Sequence, residues 1–196
     1  GIDPKEVASI SFTYMRPVAC LRGEGENEWV RDIQMWQDMR CASIFPYMTA
    51  QLAKHGLSPD DLYDITGFPY STVWMLGKFL WTQQNEPEIW ARTRHLHNLH
   101  GVLAHAYGCD DYIEDSEDLG WWQLNNCDSF TWNEKLCEVF DIDPAMLPKH
   151  APTGTVIGAV TREVAEKTGL AEGTPLVAGL GDHQCAAVGM GNIREG

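Results

Sequence analysis

The sequence predicts an α/β fold, and three observations carry that prediction. From Thr155 onward the chain alternates strand (TVIGAV), helix (REVAEKT) and strand (PLVAGL) before a further helix opens at Asp182, the order in which α/β proteins lay helices against a sheet. Capping residues mark several helix starts: Ser58 before Pro59 and two aspartates, Thr131 with Glu134 as a capping box, Asp143 before Pro144, and Thr161. Short apolar runs near the beginning of the chain read as strands.

Taken in order, the first segment predicts a strand with Ile10, Phe12 and Tyr14 on one face, then a second strand at VACL. GEGEN, between Leu21 and Trp29, reads as a hairpin connection. A short segment from Ile33 to Trp36 precedes a helix whose apolar positions Cys41, Ile44, Phe45, Met48 and Leu52 follow helical spacing. Gly56 closes that helix, and Gly67 and Gly169 are further stops. No repeat or linker-like segment interrupts the pattern before about residue 180.

At 196 residues and 44% apolar composition, with eight tryptophans, the chain can bury a core. It contains no run of about 18 apolar residues and no basic segment ahead of an apolar one, which gives no membrane span or signal peptide. A formal charge of −14, from 28 acidic against 14 basic residues, opposes binding to nucleic acid or anionic membrane. The six cysteines are scattered without a C-x-x-C pair, which favours free thiols and a cytoplasmic setting.

The segment AGLGDHQCAAVGMG is the strongest chemical candidate. An apolar strand, Pro175 to Leu180, runs through Gly181 into an acid and then small residues at helical spacing. This puts the Asp182 carboxylate at a helix N-terminus on the carboxyl edge of a sheet, where open α/β sheets place ligands. Asp182 can face a ligand there, cap the helix, or do both.

The same segment resembles the element of the FGGY family of carbohydrate kinases in which strand, Gly-Asp, Gln or Asn and an Ala/Gly-rich helix carry the catalytic base. TGFPYSTVWMLGKFLW is similar to a family stretch with Thr-Gly-Leu-Pro and a lysine three residues before a tryptophan. MWQDMRC is similar to its Trp-Gln/Asn-Asp-x-Arg element, and PAMLPKHAPTGTVIGAVTREVAEKTGLAEGTPLVAGLGD follows the family order. The resemblance implies an α/β fold of the ribonuclease H-like kind, in the actin, hexokinase and Hsp70 superfamily, incomplete at both ends. Residues 1–181 would be the later part of the N-terminal sugar-binding domain, and 182–196 the base-bearing helix leading into the C-terminal domain. The sequence shows departures as well: Thr82 stands where the family has an aliphatic residue, Met75 where it often has a small one. At Tyr14-Met15-Arg16-Pro17 the family carries sugar-contacting residues, Gln-Met-His-Gly in xylulose kinases and Gln-Arg-Glu-Thr in glycerol kinases. Arg16 matches the arginine of the latter, whereas Pro17 replaces its acidic neighbour and Val73 a tyrosine, which disfavours glycerol.

By resemblance the reaction is ATP-dependent phosphorylation of a hydroxyl on a sugar or polyol, with Asp182 as general base. Arg16 and Trp36 would bind the substrate, with Met15, His183 and Gln184 as further contacts. ATP and Mg2+ would be held largely by motifs that this sequence lacks, so the isolated chain is expected to be an inactive internal stretch of a longer kinase. A homodimer is left open. The rival reading is a catalytically silent sugar-binding or regulatory relative; an actin-fold chaperone would call for nucleotide loops in place of these polyol-side motifs.

Three groups are read from spacing alone. Were residues 94–107 one helix, His95 and His97 would differ by about 200°, so His95, His97, His100, His105 and Cys109 would not converge on a metal. Asp110, Asp111, Glu114, Asp115, Glu117 and Asp118 read as a solvated acidic face, with Asp115 given a structural role by the resemblance. Trp36 reads as core by residue type and as a ligand contact only by the resemblance.

Overall fold

The computed structural model describes residues 1–193; residues 194–196, the end of the expected segment 182–196, lie outside the described residues. In chain order the elements are β1 (Ile10–Ser11), β2 (Cys20–Arg22), α1 (Phe45–Lys54), α2 (Pro59–Thr66), α3 (Met75–Asn85), α4 (Pro87–Arg92), β3 (His95–His97), α5 (Leu99–Tyr107), β4 (Glu114–Asp115), β5 (Asn125–Asn126), β6 (Thr131–Trp132), α6 (Glu134–Phe140), β7 (His150–Ala151), β8 (Val156–Ala159), α7 (Arg162–Thr168), β9 (Pro175–Val177) and α8 (Asp182–Gly189). Two compact units result: residues 1–15, 99–117 and 149–196 form the first, and 16–98 with 118–148 the second.

The first unit is built on a three-stranded sheet in the order β1-β9-β8, with β1 parallel and β8 antiparallel to β9. Leu176, at the centre of β9, packs with Ala104, Cys109 and Val160 in a small core bordered by Ile10, Phe12, Tyr107 and Val164. β4 and β7 make a second, parallel pair. The Thr161 hydroxyl caps α7 by accepting from the Val164 N–H at 3.3 Å, and Gly169 ends that helix at φ 81°, both as the sequence predicts. The first strand is shorter than expected. Past Ser11 the chain leaves the ladder, and Tyr14 is buried with its ring stacked on that of His100, centroids 6.2 Å apart.

The second unit is mainly helical around a larger core. α1 buries Met48 and Leu52, and the turn before it buries Cys41 and Ile44, so the predicted apolar stripe is the one that packs. α3 is buried along most of its length through Met75, Leu76, Phe79 and Leu80, and truncating Phe79 to alanine there would cost about 3–5 kcal/mol through the cavity left behind. Trp122 closes this core, its ring 5.5 Å from Phe79 and 5.1 Å from Trp132. The GEGEN connection is hairpin-like: Arg22 bridges Trp29, and the Gly23 N–H donates to the Glu28 carbonyl at 2.7 Å. Ser58 forms a full capping box with Asp61 at the head of α2.

The capping box expected at Thr131 and Glu134 is corrected. Thr131 belongs to β6, paired with Asn126. The cap of α6 is Asn133, whose Oδ1 accepts from the Leu136 N–H at 2.9 Å. Asp143 caps only a three-residue turn, Pro144–Met146, and no longer helix. His95 and His97 are likewise not helical: they lie on β3, with rings 6.1 Å apart on one side of the strand.

The acidic face is corrected in part. Asp110, Asp111 and Glu117 are exposed, but Glu114, Asp115 and Asp118 are fully buried. Their segment is pulled inward because β4 pairs with β7 and donors meet two of the acids: Glu114 Oε2 accepts from the Gly101 N–H at 3.1 Å, and Asp118 meets Arg16.

Candidate functional site

Asp182 is presented by the first unit. β9 ends at Val177, the ladder to the preceding strand runs one residue further through the Ala178 N–H to the Thr155 carbonyl at 2.9 Å, and four residues later α8 begins. Gly181 is the N-cap residue, with no side chain to cap, and Asp182 is the first helical residue. Among the described residues its carboxylate makes local contacts only: Oδ1 accepts from the His183 N–H at 3.0 Å and lies 3.0 Å from His183 Nδ1. The helix-cap reading is thereby overturned, because an N-cap side chain sits one position earlier and accepts from the N2 or N3 amide. The Asp182 side chain is 46% exposed. A negative group on the first turn is also favoured by the helix dipole. His183 and Gln184 are exposed beside it.

Arg16, Trp36 and their neighbours belong to the second unit. The Arg16 side chain is buried and paired with the Asp118 carboxylate, so the guanidinium expected to face a substrate directly is held inside by a partner that spacing did not single out. Asp118 was hidden in the acidic run; its signal was only the odd placement of an acid among Leu119, Gly120 and two tryptophans. Trp36 is 41% exposed and lies outside the buried core, which removes the core reading. Met15, the last residue of the first unit's opening segment, is exposed as well.

The loop carrying Trp36 is fixed from below by Lys78. Its ammonium, on buried α3, donates to the carbonyls of Asp38 at 2.9 Å and Thr72 at 2.6 Å, tying the MWQDMRC segment to the residues before α3. Burial pushes the Lys78 pKa down. Asp38 in turn takes the Arg40 guanidinium at 3.0 Å from Nε and 2.5 Å from Nη2, and these bonds hold its carboxyl down at about 2. The Arg40 guanidinium lies over Trp81, 4.4 Å from the ring centre. Thr82, unusual by resemblance, has a local reason: its hydroxyl accepts from Arg31 Nη1 at 2.9 Å, and Arg31 also pairs with Glu86. Met75 is accommodated in the core, and Val73 is half-buried.

Residues 1–189 match the family model described as the FGGY family of carbohydrate kinases, N-terminal domain. The xylulose kinase of Lactococcus lactis subsp. lactis (strain IL1403) is 29% identical over 192 residues, covering 97% of this chain and 36% of the relative. The autoinducer-2 kinase of Enterobacter sp. (strain 638) is 30% identical over 136 residues, 69% of this chain and 25% of that protein. The crystal structure of the xylulose kinase from Rhodospirillum rubrum superimposes with a TM-score of 0.83 at 23% identity, over 95% of this chain and 37% of the other. The chain thus spans about a third or less of the length of these relatives. The structural neighbours are sugar kinases of the ribonuclease H-like fold of actin, hexokinase and Hsp70, the α/β class that the sequence predicts. Among the described residues no helix is long and apolar enough to cross a membrane.

Proposed function

The chain belongs to the FGGY family of carbohydrate kinases, and on that premise we propose that it forms the sugar-side and base-bearing part of an enzyme that phosphorylates a hydroxyl of a sugar or polyol with ATP. The observation that carries this reading is Asp182: an exposed carboxylate on the first turn of α8, not engaged as a cap. Phosphoryl transfer asks the protein for positioning and charge neutralisation more than covalent chemistry. Asp182 accepts the proton of the attacking hydroxyl, a contribution of about 10²–10⁴-fold for a general base. His183 steadies the carboxylate from the adjacent position, and Gln184 is a further polar contact.

Substrate binding is assigned to the face that bears Trp36 and to Arg16. Trp36 offers a flat apolar surface to the C–H side of a sugar. Arg16 has five N–H donors in a planar fork, and its pair with Asp118 fixes the plane in which they point; Met15 lies beside it in sequence. Kinases of the family use ATP, and Mg2+ is generally required. Asp182 is a hard oxygen donor of the kind Mg2+ accepts through its water shell. Bound with ATP, the ion would neutralise phosphate charge.

In this proposal residues 1–181 and the base-bearing helix belong to successive parts of one longer kinase, acting in the cytoplasm on a small-molecule sugar; homodimerisation stays open. A panel of ketopentoses, alditols and related polyols, assayed for ATP consumption with the complete protein and with Asp182→Asn, tests the reading. Turnover of one sugar by the wild type, reduced about 10²-fold or more in the variant with KM little changed, is the expected result. Sugar binding without turnover by the complete wild-type protein would favour the catalytically silent relative.

A further inference from the structure

We infer that His100 is a positioning residue for Asp182: as the tautomer protonated on Nδ1, it receives the Gly179 amide proton on Nε2 and fixes the turn that delivers the carboxylate. The inference rests on the assignment of Asp182 as base and adds to it the means by which the first unit holds that base in place.

His100 is the second residue of α5 and is fully buried. Its Nε2 lies 3.2 Å from the Gly179 nitrogen. A backbone N–H can only donate, so Nε2 is the accepting, unprotonated nitrogen, and the neutral ring carries its proton on Nδ1. That nitrogen is 4.0 Å from Oε2 of Glu114, itself fully buried and anchored on the Gly101 N–H at 3.1 Å. A carboxylate on the Nδ1 side favours the proton there, and a proton on Nε2 would set N–H against N–H.

Gly179 is held from two other directions. Its carbonyl lies 3.0 Å from the Thr153 hydroxyl, whose single proton it shares with Glu117 Oε2 at 2.6 Å. A side chain at this position would strike the Phe12 carbonyl oxygen and approach Ser11 Oγ to 2.8 Å, so only glycine lets the turn sit this close to the exit of β1. These ties act at the point where the ladder of β9 has ended and α8 has not begun. His100, Thr153 and Gly179 therefore set the direction in which the chain leaves the sheet, and Asp182 follows three residues later. Misplacing a catalytic group by about 1 Å is enough to slow a reaction about 10²-fold.

The test compares His100→Leu, which keeps bulk and loses the acceptor, with His100→Gln, whose Oε1 can accept where Nε2 did, both in the complete kinase. His100→Leu is expected to lower kcat about tenfold or more with the sugar KM within about twofold, and His100→Gln to recover most of the loss. Equal losses in the two variants, an unchanged kcat, or an effect on KM alone would overturn the inference. Should His100→Leu fail to fold, Thr153→Val releases the same turn from its carbonyl side; it is expected to lower kcat about threefold or more with an unchanged melting temperature, and an unaltered kcat sinks the idea. Ring-nitrogen NMR of the wild-type protein gives a readout apart from activity: a protonated Nδ1 and bare Nε2 on His100 support the assignment, and the opposite tautomer refutes it. Asp182→Asn, run in parallel, separates the two layers. If it abolishes turnover while His100→Leu does not, the positioning role alone fails; if Asp182→Asn turns over normally, the base assignment fails and takes the positioning role with it.

Discussion

Asp118 and Arg16 meet as an ion pair from which water is excluded, with side chains 0% and 1% exposed. A charge in such surroundings is tolerable only while its partner is present. The residue that the family resemblance offers for substrate binding is therefore also a structural member of the second unit, and its two roles can be separated by experiment.

Removing either partner alone takes the opposite charge away from the other. Asp118→Ala and Arg16→Ala are each expected to lower the unfolding free energy by about 3–5 kcal/mol, read from urea denaturation, and both should raise the sugar KM. The double variant should lose clearly less than the sum of the two. Strictly additive losses would mean that the pair is not coupled.

Trp36→Ala should separate binding from stability. An exposed ring outside the core contributes little to folding, so the unfolding free energy should move by no more than about 0.5 kcal/mol. Loss of an aromatic face against the sugar, about 1 kcal/mol, should raise KM roughly fivefold. A large drop in melting temperature with unchanged KM would return Trp36 to a packing role.

Asp38 gives the acid limb of stability a specific origin. Its folded pKa, held at about 2 first by the hydrogen bonds from Arg40, lies below the ordinary 3.8. The unfolded state then takes up its proton first as pH falls, so the stabilisation is complete above about pH 4 and is lost on the way down to about pH 2. Because Arg40 is half exposed, the contribution is on the order of 1 kcal/mol rather than the full value of the shift. The stability gap between wild type and Asp38→Asn, followed by urea melts from pH 5 to pH 2, should close over that interval. A gap that stays constant would place the stabilisation elsewhere.

The two well-formed caps of the second unit should behave alike and differ from the one that did not form. Ser58→Ala and Asn133→Ala each remove a side-chain acceptor from a helix head and should cost about 1 kcal/mol in thermal or chemical denaturation. Thr131→Ala should not reproduce that loss, since Thr131 lies on β6 and caps nothing; an equal loss would revive the capping box.

Local chemistry explains what was legible in the sequence. Ser58, Thr161, Gly67 and Gly169 act within one turn of themselves, so their roles could be read from three or four neighbouring letters. Asp182 was visible for the same reason, as an acid at a strand-to-helix junction. Its release from capping duty was not, because one residue of register decides it. The acidic run misled because burial of Glu114, Asp115 and Asp118 depends on partners far away in the chain, such as Arg16 and β7. His95 and His97 misled because a short strand and a helix turn look alike when apolar residues are few. Thr82 made sense only once Arg31 was seen across from it.

The pairing of β1 with β9 has a consequence for how this chain is made. Ile10 lies opposite Leu176, so β1 emerges from the ribosome long before β9 exists. At about 5–20 residues per second, that wait lasts roughly ten to thirty seconds. The helical second unit has all of its residues by position 148 and can condense during that interval. Vectorial synthesis thus makes the residues of the helical unit complete first, and the late arrival of β9 is the event that closes its pairing with β1 ahead of the turn to Asp182.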